Sequence, residues 1–510
     1  MGLTRILLLV TLLAGSGMAL RVAFDDDEFQ HLHMAWLIGR GEVPHRDFFE
    51  HHTPLYHVLM APLTLGNAGP GRILAARGVS VVMLVATLGL AVVTLRRRLG
   101  AAPVAVLAWC AFSPIFFVKM VEVRPEALAI LLAFGCLALL AAPSPRLAAA
   151  GLLAGAMVCT SQKFIFLAAG LTLCALRGRS SREAVRFVIG GAVCPLLLLA
   201  AYAVTGALPG AWAHLVVMNT GWQESFSPAM YGNLLWTTSG VLSVFALAAL
   251  LPGEHTDARL DTAILLAAGL AGVLAVPIPF RQTWLMLYPG LVLGAAITWQ
   301  RLAAAWPDPR TLRTAGWTLT LAALLPALAE IEREARTTLQ DDMTLMRTLD
   351  RDTLGPVFDG RGLVFWRRHV GYYPWLHEGL MLMLDPDDYT RETIAAIRAA
   401  GYPNVLLDYR VDYMPESLRN FLIESTVPVD PAPLRVPGVR IDRARLAGEG
   451  STFTLPVAGL YRVSWRGGQV FLNGAALESG DTLDLEPGPH HIRGQGFVRA
   501  LVIARVEDPP

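Results

Sequence analysis

Residues 24–57 read FDDDEFQHLHMAWLIGRGEVPHRDFFEHHTPLYH, a polar loop opening just past the first apolar run of an otherwise hydrophobic chain. Asp25, Asp26, Asp27 and Glu28 follow one another without a break. Four consecutive carboxylates repel each other, an arrangement that can hold a base or bind a cation; a solvated, topology-marking cluster is the other reading. Histidine content weighs against the second. Of the 12 histidines, His31, His33, His45, His51, His52 and His57 all fall in this loop. Six titratable imidazoles beside carboxylates are hard to account for as packing.

Working outward, composition sets the class. The chain has 510 residues, 54% of them hydrophobic and 16% charged, with a mean hydropathy of +0.47. These values describe a polytopic membrane protein rather than a soluble one. A net charge of +1 gives no sign of a nucleic-acid partner. Cys110, Cys136, Cys159, Cys174 and Cys194 lie in apolar stretches without metal-ligand spacing, so they read as small core residues.

Apolar runs bounded by charge predict spans near 4–22, 73–95, 102–118, 125–142, 146–161, 164–176, 187–205, 232–251, 261–279, 283–300 and 315–330. The first of these reads as an uncleaved anchor, because its small residues Ala14 to Gly17 are followed at once by more apolar ones. Arg5, Arg96, Arg97, Arg98, Arg146, Arg177, Arg179, Arg182, Arg186, Arg259, Arg301, Arg310 and Arg313 then fall on one side, which the positive-inside rule makes cytoplasmic. The acidic loop and everything after residue 330 fall on the other. This count needs a break between 161 and 164, since one merged helix would bury Lys163 at mid-bilayer.

After residue 330 the composition turns polar and rich in Pro, Gly and Asp. Strand-like runs at Gly362–Trp366 and Val405–Leu407 with a helical stretch from Arg391 to Ala400 predict a small α/β unit over 331–434. Short alternating strands, at Leu460–Trp465 and Val470–Leu472, with turns at Asn473-Gly474 and Pro487-Gly488, predict a β-sandwich over 435–510. Trp366, Tyr372, Tyr373, Trp375 and Trp465 suit either a sugar platform or an ordinary core.

Within the loop, helical spacing sets Asp27 beside His31 and Glu28 near it, with Asp26 in the same turn. A second cluster, Glu50-His51-His52-Thr53-Pro54, follows. At the outer ends of later spans stand Lys119, Arg124-Pro125-Glu126, Gln162-Lys163 and Arg281-Gln282. Four cationic positions on the side disfavoured for cations suit a phosphate, to which arginine and lysine donate charge-assisted hydrogen bonds. Taken singly, each could be a snorkelling anchor.

These residues resemble the GT-C class of integral-membrane glycosyltransferases, in particular bacterial family 39, related to protein O-mannosyltransferases and the lipid A aminoarabinose transferase. Asp27-Glu28 is similar to that family's Asp-Glu pair after the first span, Phe49–Tyr56 to its Glu-Lys-Pro-Pro-Leu segment, and Val123–Glu126 to its Arg-Pro-Asp. His51-His52-Thr53 stands in place of Lys-Pro-Pro, and Glu126 in place of aspartate. The resemblance covers roughly residues 1–300.

It implies a GT-C-like membrane domain with its catalytic first outer loop at 25–72; with the spans and tail read above, which lie partly outside the shared core, the expected fold is a polytopic all-α membrane domain of about eleven transmembrane helices over 1–330, followed by a periplasmic α/β plus β-sandwich tail. It also implies an inverting glycosyltransferase in the bacterial inner membrane, taking a sugar from a polyprenyl phosphate to an acceptor hydroxyl of a lipid, glycan or protein. Asp27 is then the general base, supported by Glu28. Asp26, His31, Glu50, His52 and Glu126 orient the acceptor or hold a divalent cation. Lys119, Arg124, Gln162, Lys163, Arg281 and Gln282 face the lipid phosphate. Two other functions fit a chain of this kind: a lipid-linked sugar transporter or flippase, and a membrane-anchored glycan-binding protein. Charges kept at the outer ends of spans count against the first, and the number of spans against the second.

Overall fold

The structure, a computed structural model, describes residues 2–65, 69–221, 228–253, 255–276, 280–306, 308–335, 339–350, 355–430, 432–446 and 448–506. The chain forms two compact units, 1–342 and 343–510.

The first unit is helical. In chain order it contains α1 (Gly2–Ala19), α2 (Asp26–Gly39), α3 (Leu55–Thr64), α4 (Gly71–Leu99), α5 (Val104–Ala111), α6 (Pro114–Val121), α7 (Pro125–Leu140), α8 (Leu147–Thr160), α9 (Ile165–Leu176) and α10 (Ser181–Thr205). Long helices follow at Pro228–Ala248, Thr256–Ala275, Tyr288–Ala305 and Pro309–Ala335. Each apolar run read from the sequence therefore contains helix. Among the described residues α1, α4, α10 and Thr256–Ala275 are each long and apolar enough to cross a membrane.

The helices within the runs 125–142, 146–161 and 164–176 are shorter, at 16, 14 and 12 residues, and one run is sharply broken. The run 102–118 is two helices, α5 and α6, bent by 62°. Pro114 opens α6; lacking an N–H and clashing with the preceding turn, proline cannot continue α5. The break expected between 161 and 164 is present: Ser161 is extended, with φ −158° and ψ 120°, and a short 3-10 turn leads into α9. Helices α8 and α10 approach backbone to backbone. A Cβ at Gly151 would lie 2.0 Å from Phe187 O, and one at Gly155 2.1 Å from Gly191 O. This is the small-xxx-small spacing that lets apolar helices touch where lipid offers no hydrophobic drive.

The second unit has strands β1 (Val357–Asp359), β2 (Asn404–Leu406), β3 (Thr426–Pro428), β4 (Leu434–Asp442), β5 (Ser451–Leu455), β6 (Gly459–Trp465), β7 (Gln469–Leu472), β8 (Ala475–Leu477), β9 (Thr482–Leu485), β10 (Gly488–Gln495) and β11 (Ala500–Arg505). β1 and β2 are parallel, with helix Pro386–Ala399 between them in sequence. One sheet runs β1-β2-β4-β11-β6-β9, with β3 also on β4; the other runs β5-β10-β7-β8. Ile441, Phe453, Tyr461, Val463, Val470, Ile492 and Ile503 fill a core drawn from both sheets. β4 is common to the parallel pair's sheet and to this sandwich.

The strand expected at Gly362–Trp366 is a buried loop instead. Asp359, at the end of β1, takes the amides that a ladder would need: its Oδ1 accepts from Arg361 N (3.1 Å) and Gly362 N (3.0 Å), its Oδ2 from Val364 N (2.8 Å). Asp408, just past β2, accepts from the same Arg361 N at 3.0 Å and from Arg410 N at 2.9 Å. Two carboxylates thus converge on one amide. Burial pushes Asp359 up to about 6; burial and the charge of Asp359 push Asp408 up to about 7. Both values exceed the unfolded one of 3.8, so the folded tail keeps protons that the unfolded chain releases. Its stability contribution is complete below about pH 4 and is lost as pH rises through about 6 to 7. The thermal midpoint of the tail in the full-length protein is expected to fall between about pH 5 and about pH 8, and Asp408→Asn to flatten that slope.

Candidate active site

The acidic run is resolved by the start of α2. Asp25 is its N-cap: the carboxylate accepts from Asp27 N at 3.0 Å, and Glu28 Oε1 accepts from Asp25 N at 2.9 Å, a reciprocal capping box. The helix that follows is no surface helix. His31, Leu32, His33, Met34 and Ala35 are all buried.

Glu28 is completely buried and bound on both oxygens. Arg77 of α4 donates from Nε to Oε2 at 2.8 Å and from Nη2 to Oε1 at 2.5 Å, and Val123 N donates to Oε2 at 3.0 Å. Arg77 also donates to Ala19 O (3.1 Å), Val22 O (2.8 Å) and Ala23 O (2.7 Å), and it stands over the ring of Phe24. Sequence reading passed over Arg77. A lone arginine within the apolar run of α4 was the available signal, because such a charge needs a buried partner.

Around this pair lies a second layer. Arg124, which precedes α7, donates from Nη1 to Asp27 Oδ2 at 2.7 Å, meets Asp25 Oδ1 from Nη2 at 2.8 Å, and bonds Glu122 from Nε. Lys119 meets Asp25 at 3.1 Å and Glu122 at 2.8 and 2.9 Å. Burial alone would raise Asp25, but Arg124 and Lys119 outweigh it and hold its carboxyl well below the usual range. Glu122 moves the other way, raised by burial and by neighbouring Asp25 and Glu28 in spite of the two cations. It too was missed from sequence. Of the carboxylates in this layer, Asp25 and Asp27 are partly exposed, whereas Glu122 is buried.

The second sequence cluster forms a separate floor. Glu50 is completely buried, and its Oε1 accepts from His51 N, His52 N and His52 Nδ1, each at 2.8 Å. His31 Nδ1 lies 3.0 Å from His57 Nε2, and the rings of His31 and His52 are 5.1 Å apart. Burial and Lys163 push His52 down to about 4, leaving a neutral imidazole near neutral pH. Gln162 donates to His51 O at 2.6 Å and accepts from Thr53 N at 3.3 Å, fixing this turn to the break after α8. Lys163 bonds Glu126. Asp26 is buried in the first turn of α2. Arg281 and Gln282 open the 3-10 helix Arg281–Leu287, which packs against α6 and α7.

The Glu28–Arg77 pair is a buried ion pair with every charge compensated, so removing one partner strands the other. Arg77→Met is expected to lower stability by about 3–5 kcal/mol, read as a lower thermal midpoint in detergent. Glu28→Gln, which keeps an acceptor oxygen, is expected to cost less.

No family model matches the sequence, and no curated protein sequence matches it. Among solved structures the chain is similar to ArnT from Cupriavidus metallidurans in the apo state, with a TM-score of 0.53 and 14% identity, covering 80% of this chain and 94% of that one. The oligosaccharyltransferase of Archaeoglobus fulgidus tethered to an acceptor peptide gives a TM-score of 0.47 and 9% identity, covering 98% of each chain. The likeness to ArnT extends over most of both chains, and what it shows is the fold: this protein shares the architecture of that structure.

Proposed function

We propose that this protein is an inverting glycosyltransferase that takes a sugar from a polyprenyl phosphate and moves it to an acceptor hydroxyl at the periplasmic face of the bacterial inner membrane. One observation carries the reading. Asp27 is a partly exposed carboxylate whose Oδ2 is held by the buried guanidinium of Arg124 at 2.7 Å, while Asp25 caps α2 and pairs with Lys119, and Glu28 and Glu122 are sunk in buried ion pairs. A base fixed in orientation and open on one side is what proton abstraction from an acceptor requires.

In this mechanism the acceptor oxygen attacks the anomeric carbon as its proton passes to Asp27. The bond from that carbon to the phosphate oxygen breaks, and the polyprenyl phosphate leaves with the electron pair. An ionised phosphate needs no general acid, only cations where its charge grows. Lys119 and Arg124 are already matched by Asp25, Asp27 and Glu122. We therefore assign the phosphate to Lys163, exchanging Glu126 for the donor, together with Arg281 and Gln282, while Gln162 holds the turn. Glu28 serves Asp27 indirectly, by fixing Val123 next to Arg124.

Transfer of labelled sugar from polyprenyl phosphate in proteoliposomes, with membrane extract as acceptor, tests this. Asp27→Asn is expected to lower the rate at least about 100-fold, with a smaller fall in thermal midpoint than Arg77→Met, since Asp25 and Glu122 still face Arg124. Wild-type transfer by Asp27→Asn would remove the base. Labelled lipid crossing the bilayer with no transfer would make the protein a transporter instead.

A further inference from the structure

At the end of the helical unit where α4 finishes and α10 begins, several arginines are bonded within the protein. Arg98 and Arg177 both close on Asp261, a buried carboxylate, each at 2.6 Å. Arg97 donates to Ala138 O at 2.7 Å and Arg301 to Leu251 O at 3.0 Å. Three others differ. Arg146, one residue before α8, and Arg182 and Arg186, in the first two turns of α10, are exposed, and none of the three has a hydrogen bond or ion pair among the described residues. Glu183, the acid between the last two in sequence, turns back to cap α10: it accepts from Ser180 N at 3.1 Å and lies 3.6 Å from Arg179.

Helical spacing carries Arg182 and Arg186 straight into an apolar stripe. Positions 182, 186, 189, 193, 197, 200 and 204 recur every three or four residues and share one face of α10. On that face Ile189 is 62% exposed, Leu197 66% and Val204 88%. The far side of α10 is closed by α8. Gly151 meets Phe187 and Gly155 meets Gly191, four residues on in each helix, so the two run parallel and Arg146 stands at the same end as Arg182 and Arg186. At 25 residues, with an apolar window of mean hydropathy 2.3, α10 is long and apolar enough to cross a membrane. Its stripe then meets acyl chains, and the arginines at its start lie at the level of the headgroups.

We propose that Arg146, Arg182 and Arg186 form a binding site for one anionic phospholipid, its phosphate held by the guanidinium groups and an acyl chain lying along Ile189, Val193 and Leu197. Guanidinium groups donate planar, charge-assisted hydrogen bonds that match phosphate oxygens. Charge complementarity selects the occupant. A soluble anion would leave the adjoining stripe uncovered, a zwitterionic headgroup brings an ammonium that the arginines repel, and a second copy of this chain would set the same three cations against themselves. Topology alone asks only for positive charge on that side; it does not ask for two arginines in register with the lipid-facing stripe and a third at the start of the parallel helix. The site lies at the opposite end of α8 from the Lys163–Glu126 pair, about 20 Å away by helical rise, and does not require the transferase reading.

The test uses full-length protein in detergent, stripped of lipid and titrated with dioleoylphosphatidylglycerol or dioleoylphosphatidylcholine, with bound lipid counted by native mass spectrometry. One phosphatidylglycerol per chain is expected to bind at least about tenfold more tightly than phosphatidylcholine and to stay bound in excess inorganic phosphate. Arg182→Gln combined with Arg186→Gln is expected to weaken it about 25-fold, and Arg146→Gln about fivefold. Arg96→Gln, which removes an exposed arginine at the end of α4, is expected to leave binding unchanged and controls for overall charge. Lipid-free thermal midpoints show that each variant is folded. Equal affinity for the two lipids, displacement by inorganic phosphate, or an equal loss in Arg96→Gln overturns the site. Displacement by undecaprenyl phosphate at equal concentration overturns the assignment to a phospholipid. Since the titration contains no sugar donor, its result is independent of whether Asp27 serves as a base.

Discussion

The contact on which the helical unit depends is the buried pair of Glu28 and Arg77. Their mutual hydrogen bonds at 2.5 and 2.8 Å are only part of it. Arg77 also takes the carbonyls of Ala19, Val22 and Ala23, where α1 has ended, while Glu28 takes the amides of Asp25 and Val123. One ion pair therefore fixes the end of α1, the start of α2, α4 and the link between α6 and α7. Burying two charges is costly, and the cost is offset here because almost every polar atom of both finds a partner.

Everything nearer the surface follows from that arrangement. With Val123 pinned, Arg124 has its guanidinium placed among three carboxylates, and Lys119 completes the neutralisation. The result is a layered site: compensated charge below, partly exposed Asp25 and Asp27 above. The histidine-rich turn is a neighbouring but differently built place, where a buried carboxylate is met by imidazoles and backbone amides instead of by arginine or lysine.

Much of this was legible in the chain. The apolar runs marked the helices because a backbone surrounded by apolar material must satisfy its own hydrogen bonds, which a helix does, and the break near Ser161 followed from the cost of placing Lys163 within a span. Proline's missing N–H made the bend at Pro114 readable in principle, although the run around it was hydrophobic enough to pass for one helix. At Gly362–Trp366 the β-prone side chains misled, because Asp359 removes the amides and no periodicity records a side chain that competes for backbone.

What the sequence by itself determined was class and order: a hydrophobic helical chain, an acidic and histidine-rich loop after the first helix, and a polar tail of strands. These depend on local composition and spacing, which a sequence carries directly. Which carboxylate does what was decided only by tertiary structure. Asp25, Asp27 and Glu28 are near-identical neighbours in the chain, yet one caps a helix, one is turned outward against Arg124, and one is sunk against Arg77. Their partners lie about 50 to 100 residues away, and only packing of α2 against α4 and the α6–α7 link brings them within hydrogen-bond distance.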